Sequence, residues 1–246
     1  VDRPRSTVKP FIAIAGLEEK VRTPEWSMWD PGFFSLPGSQ YKFRDWKKGG
    51  HGEVNLHKAI VESVDTYFYK LAHDLEIETI HRYLTRFGFG SKTGIDLPRE
   101  ASGIAPSKAW KKRRFEQPWY PGDTISVGIG QGYNLVTPLQ LAVATAALAN
   151  GQTLVRPVLS RFGARPFSDR ASASPQPNPG QPLMLSSKHI HVLQKAMEDV
   201  MRSGGTAAGA ARGADYSMAG KTGTAQGFSL KGAEHDEDAL EKRLQD

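Results

Sequence analysis

The sequence predicts an α+β fold on three observations. Apolar residues recur at helical spacing in several segments that open on capping residues. The stretch "FFSLPGSQYKF" at 33–43 reads as a β-hairpin turning at Pro37-Gly38, and the small-residue segment "YSMAGKTGTAQGF" at 216–228 reads as a strand that lets another backbone approach. The 246 residues, 39% hydrophobic and 24% charged, supply a core for one large domain or two small ones. With no cysteine there is no disulfide, thiolate nucleophile or sulfur-rich zinc site. No apolar run reaches a bilayer span and no signal peptide opens the chain, so as given it is expected to be soluble, with any anchor outside these residues.

In chain order, Val8, Phe11, Ile12, Ala15 and Leu17 place an amphipathic helix from Ser6 to about Glu18, buried on one side. Residues 24–52, aromatic among glycines and prolines, form a loop-rich insert. Asn55 caps a helix to about Glu62, Asp65 caps a second to about Leu75, and "IETIHRYLTRFG" ends a third at Gly88, which leaves Ser63 at a junction. A turn-rich stretch with "GIDLP" and "GIGQG" follows. Thr137 then caps a helix with Pro138 at its first position, ending at Gly151. "TLVRPVLSRF" suits a strand, 163–182 a flexible surface loop, and Ser186 or Ser187 caps a helix to about Arg202. The acidic tail 233–246 adds no closing element.

The net charge of +6 and pI near 9.4 suit an anionic partner, and "WKKRR" at 110–114 is the densest patch. No nucleic-acid motif frames it, so nucleic acid is not an expected partner. "GIGQG" lacks both the third glycine and the lysine of a nucleotide loop.

The chemistry lies in three short motifs. Ser-x-x-Lys occurs at Ser6-Lys9 and at Ser39-Lys42, and about one match arises by chance in a chain of this length. Only Ser6 and Lys9 share a helix face; the other pair follows Pro-Gly in a turn. A serine opening a helix is ordinarily a cap, but Lys9 faces the positive end of the dipole and Pro10 removes the N–H that would bond the Ser6 carbonyl. Helix stability accounts for neither choice. Lys-Thr-Gly occurs at 92–94, before a turn, and at 221–223, in a small-residue segment followed by Thr224. Ser63-Val64-Asp65 alone reads as helix-junction capping. Together, Ser6-x-x-Lys9, Ser63-x-Asp65 and Lys221-Thr-Gly-Thr224 stand in the order and spacing of active-serine penicillin-recognising enzymes.

The wording "STVKPF", "SVDTYFYKLA", "FGFGSKTGIDLP", "PWYPGDTISVGIGQGYNLVTPLQLA" and "KTGTAQ" resembles the transpeptidase domain of class B penicillin-binding proteins of the cell-elongation type, over nearly the whole of residues 1–246. The resemblance implies a β-lactamase-like fold with a central antiparallel sheet flanked by helices, incomplete at both ends in this chain. Relatives usually carry Pro-Gly before the serine, where this chain has Pro4-Arg5, and many outside this type have Asn at the position of Asp65.

The implied activity is D,D-transpeptidation of peptidoglycan stem peptides ending in D-alanyl-D-alanine, through an acyl-enzyme on Ser6 that β-lactam antibiotics also form. Lys9 would be the base, which requires lowering a lysine pKa of about 10.4 by roughly 3 units, on the order of 4 kcal/mol, with Lys221 supplying a like charge. Ser63 would pass the proton to the departing amine and Asp65 would hold Ser63 and Lys9 in register. Asp65 only accepts hydrogen bonds, and its charge opposes the lowering of the Lys9 pKa. Lys221, Thr222, Gly223 and Thr224 would bind the donor carboxylate, with the N–H groups of Ser6 and Thr224 as oxyanion donors. The resemblance also implies the periplasmic face of the bacterial inner membrane, an N-terminal anchor absent from this chain, and a membrane glycan polymerase and elongation-complex proteins as partners.

No cofactor is required by this chemistry. Asp30, Asp45 and His51 in the insert are candidate ligands of a structural zinc ion; some elongation-type relatives add a cysteine where this chain has Val64. Alternative readings are a serine β-lactamase, for which no Glu-x-x-Leu-Asn-type stretch supplies a deacylating base, a β-lactam-sensing domain, and a noncatalytic scaffold.

Overall fold

A computed structural model describes residues 1–151, 153–159 and 180–224. Seven helices and three small antiparallel ladders are found among them, in the order α1 (Lys9–Glu18), β1 (Ser27–Asp30), β2 (Phe33–Phe34), β3 (Phe43–Arg44), β4 (Gly52–Asn55), α2 (Leu56–Val61), α3 (Asp65–Arg86), α4 (Lys108–Phe115), α5 (Pro121–Gly128), α6 (Pro138–Ala149), β5 (Thr153–Leu154), β6 (Gln181–Pro182) and α7 (Ser187–Val200). The described residues form no central sheet: β1 pairs with β4, β2 with β3 and β5 with β6. The segment at 217–224 is not a strand either, because no strand among the described residues takes up its backbone groups; Gly220 N–H donates instead to Met197 O in α7, at 2.9 Å, and 225–228 lie outside the described residues.

Helix α1 is the centre of the core. Instead of one apolar face, every residue from Lys9 to Leu17 is buried, with α3 packed on one side and α2 and α7 on others. Gly16 permits the approach of α3, since a Cβ there would lie 2.8 Å from Leu71 Cδ1. Gly128 at the end of α5 does the same on the far side of α3, where a Cβ would meet Ala72 Cβ at 2.4 Å. Phe11 of α1 meets the rings of Phe87 and Phe89 edge-on at 4.9 and 5.1 Å, tying α1 to the exit of α3.

The 33–43 hairpin forms as its sequence predicts. Phe34 pairs with Phe43, and Ser39 N–H donates to Leu36 O across Pro37 and Gly38, whose φ of 76° is the left-handed value glycine allows. The helices expected to end at Leu75 and start at Ile77 run together as α3 across a kink at Glu76 (φ 59°, ψ 161°). Two helices in the turn-rich stretch were not anticipated, although both carry start signals: Ser107 caps α4 through Trp110 N–H, and α5 opens on Pro121 with Asp123 reaching back to Tyr120 N–H. Among the described residues of "TLVRPVLSRF", 153–159, only Thr153–Leu154 is a strand, and Pro157 lacks the N–H to extend it; 160–162 lie outside the described residues. Gln181–Pro182, placed by sequence in a loop, is its partner; the rest of that loop, 163–179, and the tail 233–246 lie outside the described residues.

Several helix starts are completed by a carboxylate from elsewhere. Ser186 offers no side-chain cap to α7, and Glu18 at the end of α1 accepts from Ser186 N–H at 2.9 Å and His189 Nδ1 at 2.6 Å. Replacing Gly128 by alanine should lower the unfolding free energy by about 1–3 kcal/mol through overpacking against Ala72; urea denaturation at constant m-value checks this.

Candidate active site

The first motif sits in a turn shaped by its prolines. Pro10 has no N–H to offer the Ser6 carbonyl, so the chain tightens to a 3-10 turn over Arg5–Val8, in which Lys9 N–H donates to Ser6 O before α1 begins. The cap position is Pro4, not Ser6; Thr7 donates to Pro4 O through both its N–H and its hydroxyl. Arg5 has φ 51°, in the region a glycine would adopt freely, which costs about 1–3 kcal/mol for another residue. Its N–H donates to Gly130 O at 2.9 Å, and a Cβ on Gly130 would lie 2.2 Å from Arg5 O. The "GIGQG" stretch therefore serves as a backbone cradle for the serine turn.

Lys9 is completely buried, and its Nζ donates to Asp65 Oδ1 at 2.6 Å, Ser63 O at 2.8 Å and Ser63 Oγ at 3.2 Å. All three directions of an ammonium are taken. Burial pushes the Lys9 pKa below the ordinary lysine value, while Asp65 and more distantly Asp45 push it back up. The contact expected from sequence between Ser6 and Lys9 is not a hydrogen bond here: Ser6 Oγ has none among the described residues. Catalytic hydrogen bonds of unliganded sites are often long and tighten when substrate is bound.

Ser63 stands between α2 and α3 with φ 57°, a left-handed turn that aims both its carbonyl and its hydroxyl at Lys9. Val64 N–H donates back to Ala59 O at 3.0 Å and closes the end of α2. Asp65 does not cap α3 as expected. It is the first residue of the helix, and the acceptor at that terminus is Asp45, whose Oδ2 takes Asp65 N–H at 2.7 Å.

The third motif arrives from the segment after α7. Lys221 Nζ donates to Ser63 Oγ at 2.7 Å and Thr222 O at 3.1 Å. Burial, with the Lys9 charge second, lowers its pKa to about 7. The Ser63 oxygen thus accepts from two lysines, which leaves its own proton free for a third group. Gly223 lies against the serine turn, where a Cβ would approach Thr7 Cγ2 to 2.7 Å and Pro4 O to 3.6 Å. Thr206, which no motif singled out, bonds the Thr222 hydroxyl at 2.9 Å and donates its N–H to Val61 O at 3.2 Å, pinning the segment to the end of α2.

The duplicate motifs are accounted for locally. Ser39 Oγ accepts Tyr41 N–H and Lys42 lies over the Phe33 ring. In the other Lys-Thr-Gly, the Glu100 carboxylate gathers Thr93 N–H, the Thr93 hydroxyl and Gly94 N–H. Within "WKKRR", Lys111 is buried on Asp123 at 2.6 Å, a structural role the sequence did not indicate.

Asp30, Asp45 and His51 do converge, buried, with ligand-type atoms within 4.8 Å of one another. They are already bonded: Asp30 takes Gly32 N–H, His51 N–H and His51 Nδ1, and Asp45 takes the N–H groups of Lys47, Asp65 and Thr66. Burial pushes the Asp30 carboxyl up, but these donors outweigh it and hold it below the ordinary range; for Asp45 burial prevails and the carboxyl is raised. Val64, where the resemblance puts a cysteine in some relatives, is buried and has no side-chain atom that could serve as a ligand, and Glu62 Oε2 lies 3.9 Å from His51 Nε2. His51 Nε2 is buried with no hydrogen-bond partner.

A family model described as the penicillin-binding protein transpeptidase domain matches residues 3–240. A curated relative from Haemophilus influenzae, the peptidoglycan D,D-transpeptidase MrdA, is 43% identical over 99% of this chain, which spans 37% of that relative. Two solved structures are similar over 92% of the chain: Pseudomonas aeruginosa PBP2 in complex with WCK 5153 (TM-score 0.82, 42% identity, 50% of that chain) and Helicobacter pylori PBP2 in its complex with MreC (TM-score 0.81, 39% identity, 40% of that chain).

The pairing of two cations on one hydroxyl predicts that Lys221 titrates near pH 7, charged below and neutral above, as read by 13C NMR of lysine-labelled protein. Lys9→Ala, which removes the repelling charge, should raise that midpoint.

Proposed function

Because this chain belongs to the penicillin-binding protein transpeptidase family, we propose that it forms most of the active site of a peptidoglycan D,D-transpeptidase of the cell-elongation type. The observation that carries this reading is that Lys9 and Lys221 both donate to one hydroxyl, Ser63 Oγ, with Asp65 on the Lys9 ammonium, while the Lys221 segment packs at Gly223 against Thr7 in the turn that holds Ser6.

In the proposed reaction Ser6 Oγ attacks the carbonyl of the penultimate D-alanine of a stem peptide, and Lys9, in its neutral form, takes the hydroxyl proton. The burial that depresses the Lys9 pKa supports this role. The carbon–nitrogen bond to the terminal D-alanine breaks, Ser63 donates its hydrogen to the departing amine, and Lys9 returns to Ser63 Oγ the proton it took from Ser6. Asp65 keeps Lys9 against Ser63. The N–H groups of Ser6 and Thr224 receive the developing oxyanion, and Lys221 with Thr222 and Thr224 grips the terminal carboxylate. An amine from a second stem peptide then attacks the ester carbonyl and forms the new amide, the carbon–oxygen bond to Ser6 breaks, and the proton lost by the amine passes by way of Lys9 to Ser6 Oγ. β-Lactams, which carry the same carboxylate beside a strained amide, stop at the ester.

No helix among the described residues is long and apolar enough to cross a membrane. The proposed location is the periplasmic face of the inner membrane, by way of an anchor outside this sequence. A membrane glycan polymerase and elongation proteins are the proposed partners; the Helicobacter pylori relative was solved with MreC. Transpeptidases of this family need no cofactor. A zinc ion at Asp30, Asp45 and His51 would have to displace the hydrogen bonds those groups already make and would find three protein ligands where a structural site uses four. The cluster is therefore read as a hydrogen-bonded brace.

Fluorescent penicillin followed by chase tests the reading on the intact protein. A long-lived adduct that Ser6→Ala abolishes, together with crosslinking of lipid-linked glycan strands, is expected. Rapid release would indicate a β-lactamase, an adduct without crosslinking a sensor, and no adduct a scaffold.

A further inference from the structure

The insert reaches the active site at one place. Three consecutive residues, Arg44, Asp45 and Trp46, bond to both sides of the junction that holds Ser63: Arg44 O accepts from Tyr69 Oη at 3.2 Å, Asp45 Oδ2 accepts from Asp65 N–H at 2.7 Å and Thr66 N–H at 3.1 Å, and Trp46 Nε1 donates to Glu62 O at 3.2 Å. The first N–H groups of a helix need acceptors, and the residue at the cap position of α3, Val64, has none to give. Asp45 fills that need from outside the helix.

Asp45 is itself fixed. Its N–H donates to Gly32 O at 2.9 Å and its Oδ1 accepts from Lys47 N–H at 3.0 Å. His51 Nδ1 lies 3.6 Å from Asp45 Oδ1 and 2.8 Å from Asp30 Oδ2, with the Trp46 ring covering the imidazole at 5.3 Å. The junction needs such a hold, because Ser63 sits at a left-handed φ that a serine does not prefer and Asp65 must present its carboxylate to a buried lysine.

We propose that Asp45 is a positioning residue for the acyl-transfer site: as the cap of α3 supplied by the insert, it sets the place of Asp65 and Ser63 around Lys9, through hydrogen bonds and without a metal ion. The proposal deepens the transpeptidase reading and rests on it. Asp45 touches neither Ser6 nor the carboxylate-binding segment, so its loss should fall on the chemical step and not on ligand capture.

The test uses the intact protein and a β-lactam, separating the first-order acylation constant from the noncovalent dissociation constant. Asp45→Ala is expected to lower the acylation constant by about tenfold or more while the dissociation constant stays within about twofold. Asp45→Asn, whose amide oxygen still accepts from Asp65 and Thr66, should stay within about threefold of the parent. Hydrogen exchange at the Asp65 and Thr66 amides should accelerate in the alanine variant only, and this reads the cap whether or not the protein acylates. If Asp45→Ala does not fold, Trp46→Phe, which deletes one donor of the same clamp, should lower the acylation constant by about threefold. Unchanged acylation and exchange in folded Asp45→Ala would overturn the proposal. So would equal losses in the alanine and asparagine variants, or stoichiometric zinc whose removal by a chelator stops acylation. A parent protein that never acylates, with exchange behaving as stated, would sink the transpeptidase reading and leave the cap standing.

Discussion

A lysine ammonium buried in the central helix is the constraint around which the described structure is arranged. Lys9 is fully removed from water at the start of α1, and a cation in that position is tolerated only where acceptors surround it. Those acceptors come from one place, the α2–α3 junction, which must supply a carbonyl, a hydroxyl and a carboxylate at once. A regular helix cannot do this, since its carbonyls are engaged along its axis. The left-handed turn at Ser63 frees one carbonyl and turns the hydroxyl beside it, and the start of a new helix puts Asp65 next in line.

Two of the seven non-glycine residues at positive φ among the described residues belong to the candidate site. Arg5, just before the candidate nucleophile, is held by a backbone contact from a distant segment, Gly130, and Ser63 by the last turn of α2, which directly precedes it. The same economy of means appears at the helix termini. Asp45 completes α3 and Glu18 completes α7, so the caps that a local sequence window would require are delivered by the tertiary structure.

The electrostatic consequence is a site with two depressed lysines. Lys9 is lowered by burial against the opposing pull of Asp65, and Lys221 by burial reinforced by Lys9. They share a hydroxyl oxygen at 3.2 and 2.7 Å, so the charge state of one is felt by the other. The tension that aspartate in place of asparagine poses at position 65 is met by its position at a helix start, where the backbone dipole offsets part of its charge.

Much of this was legible in the residues themselves. The helix starts at Asn55 and Thr137, the hairpin about Pro37-Gly38 and the separation of real from chance motifs follow from local rules, because capping, turn chemistry and helical periodicity act over a few residues. The three motifs could be named, and their order along the chain pointed to a common cleft. What sequence alone left undetermined was everything set by contacts between distant segments. Burial of α1 on all sides, the 3-10 turn at Ser6 cradled by Gly130, the bond from Thr206 to Thr222 and the cap from Asp45 to α3 each join residues that no short window contains. Local preferences decide which dihedral angles a segment can adopt; only the packed chain decides which unpaired donor meets which acceptor, and in this protein those meetings build the site.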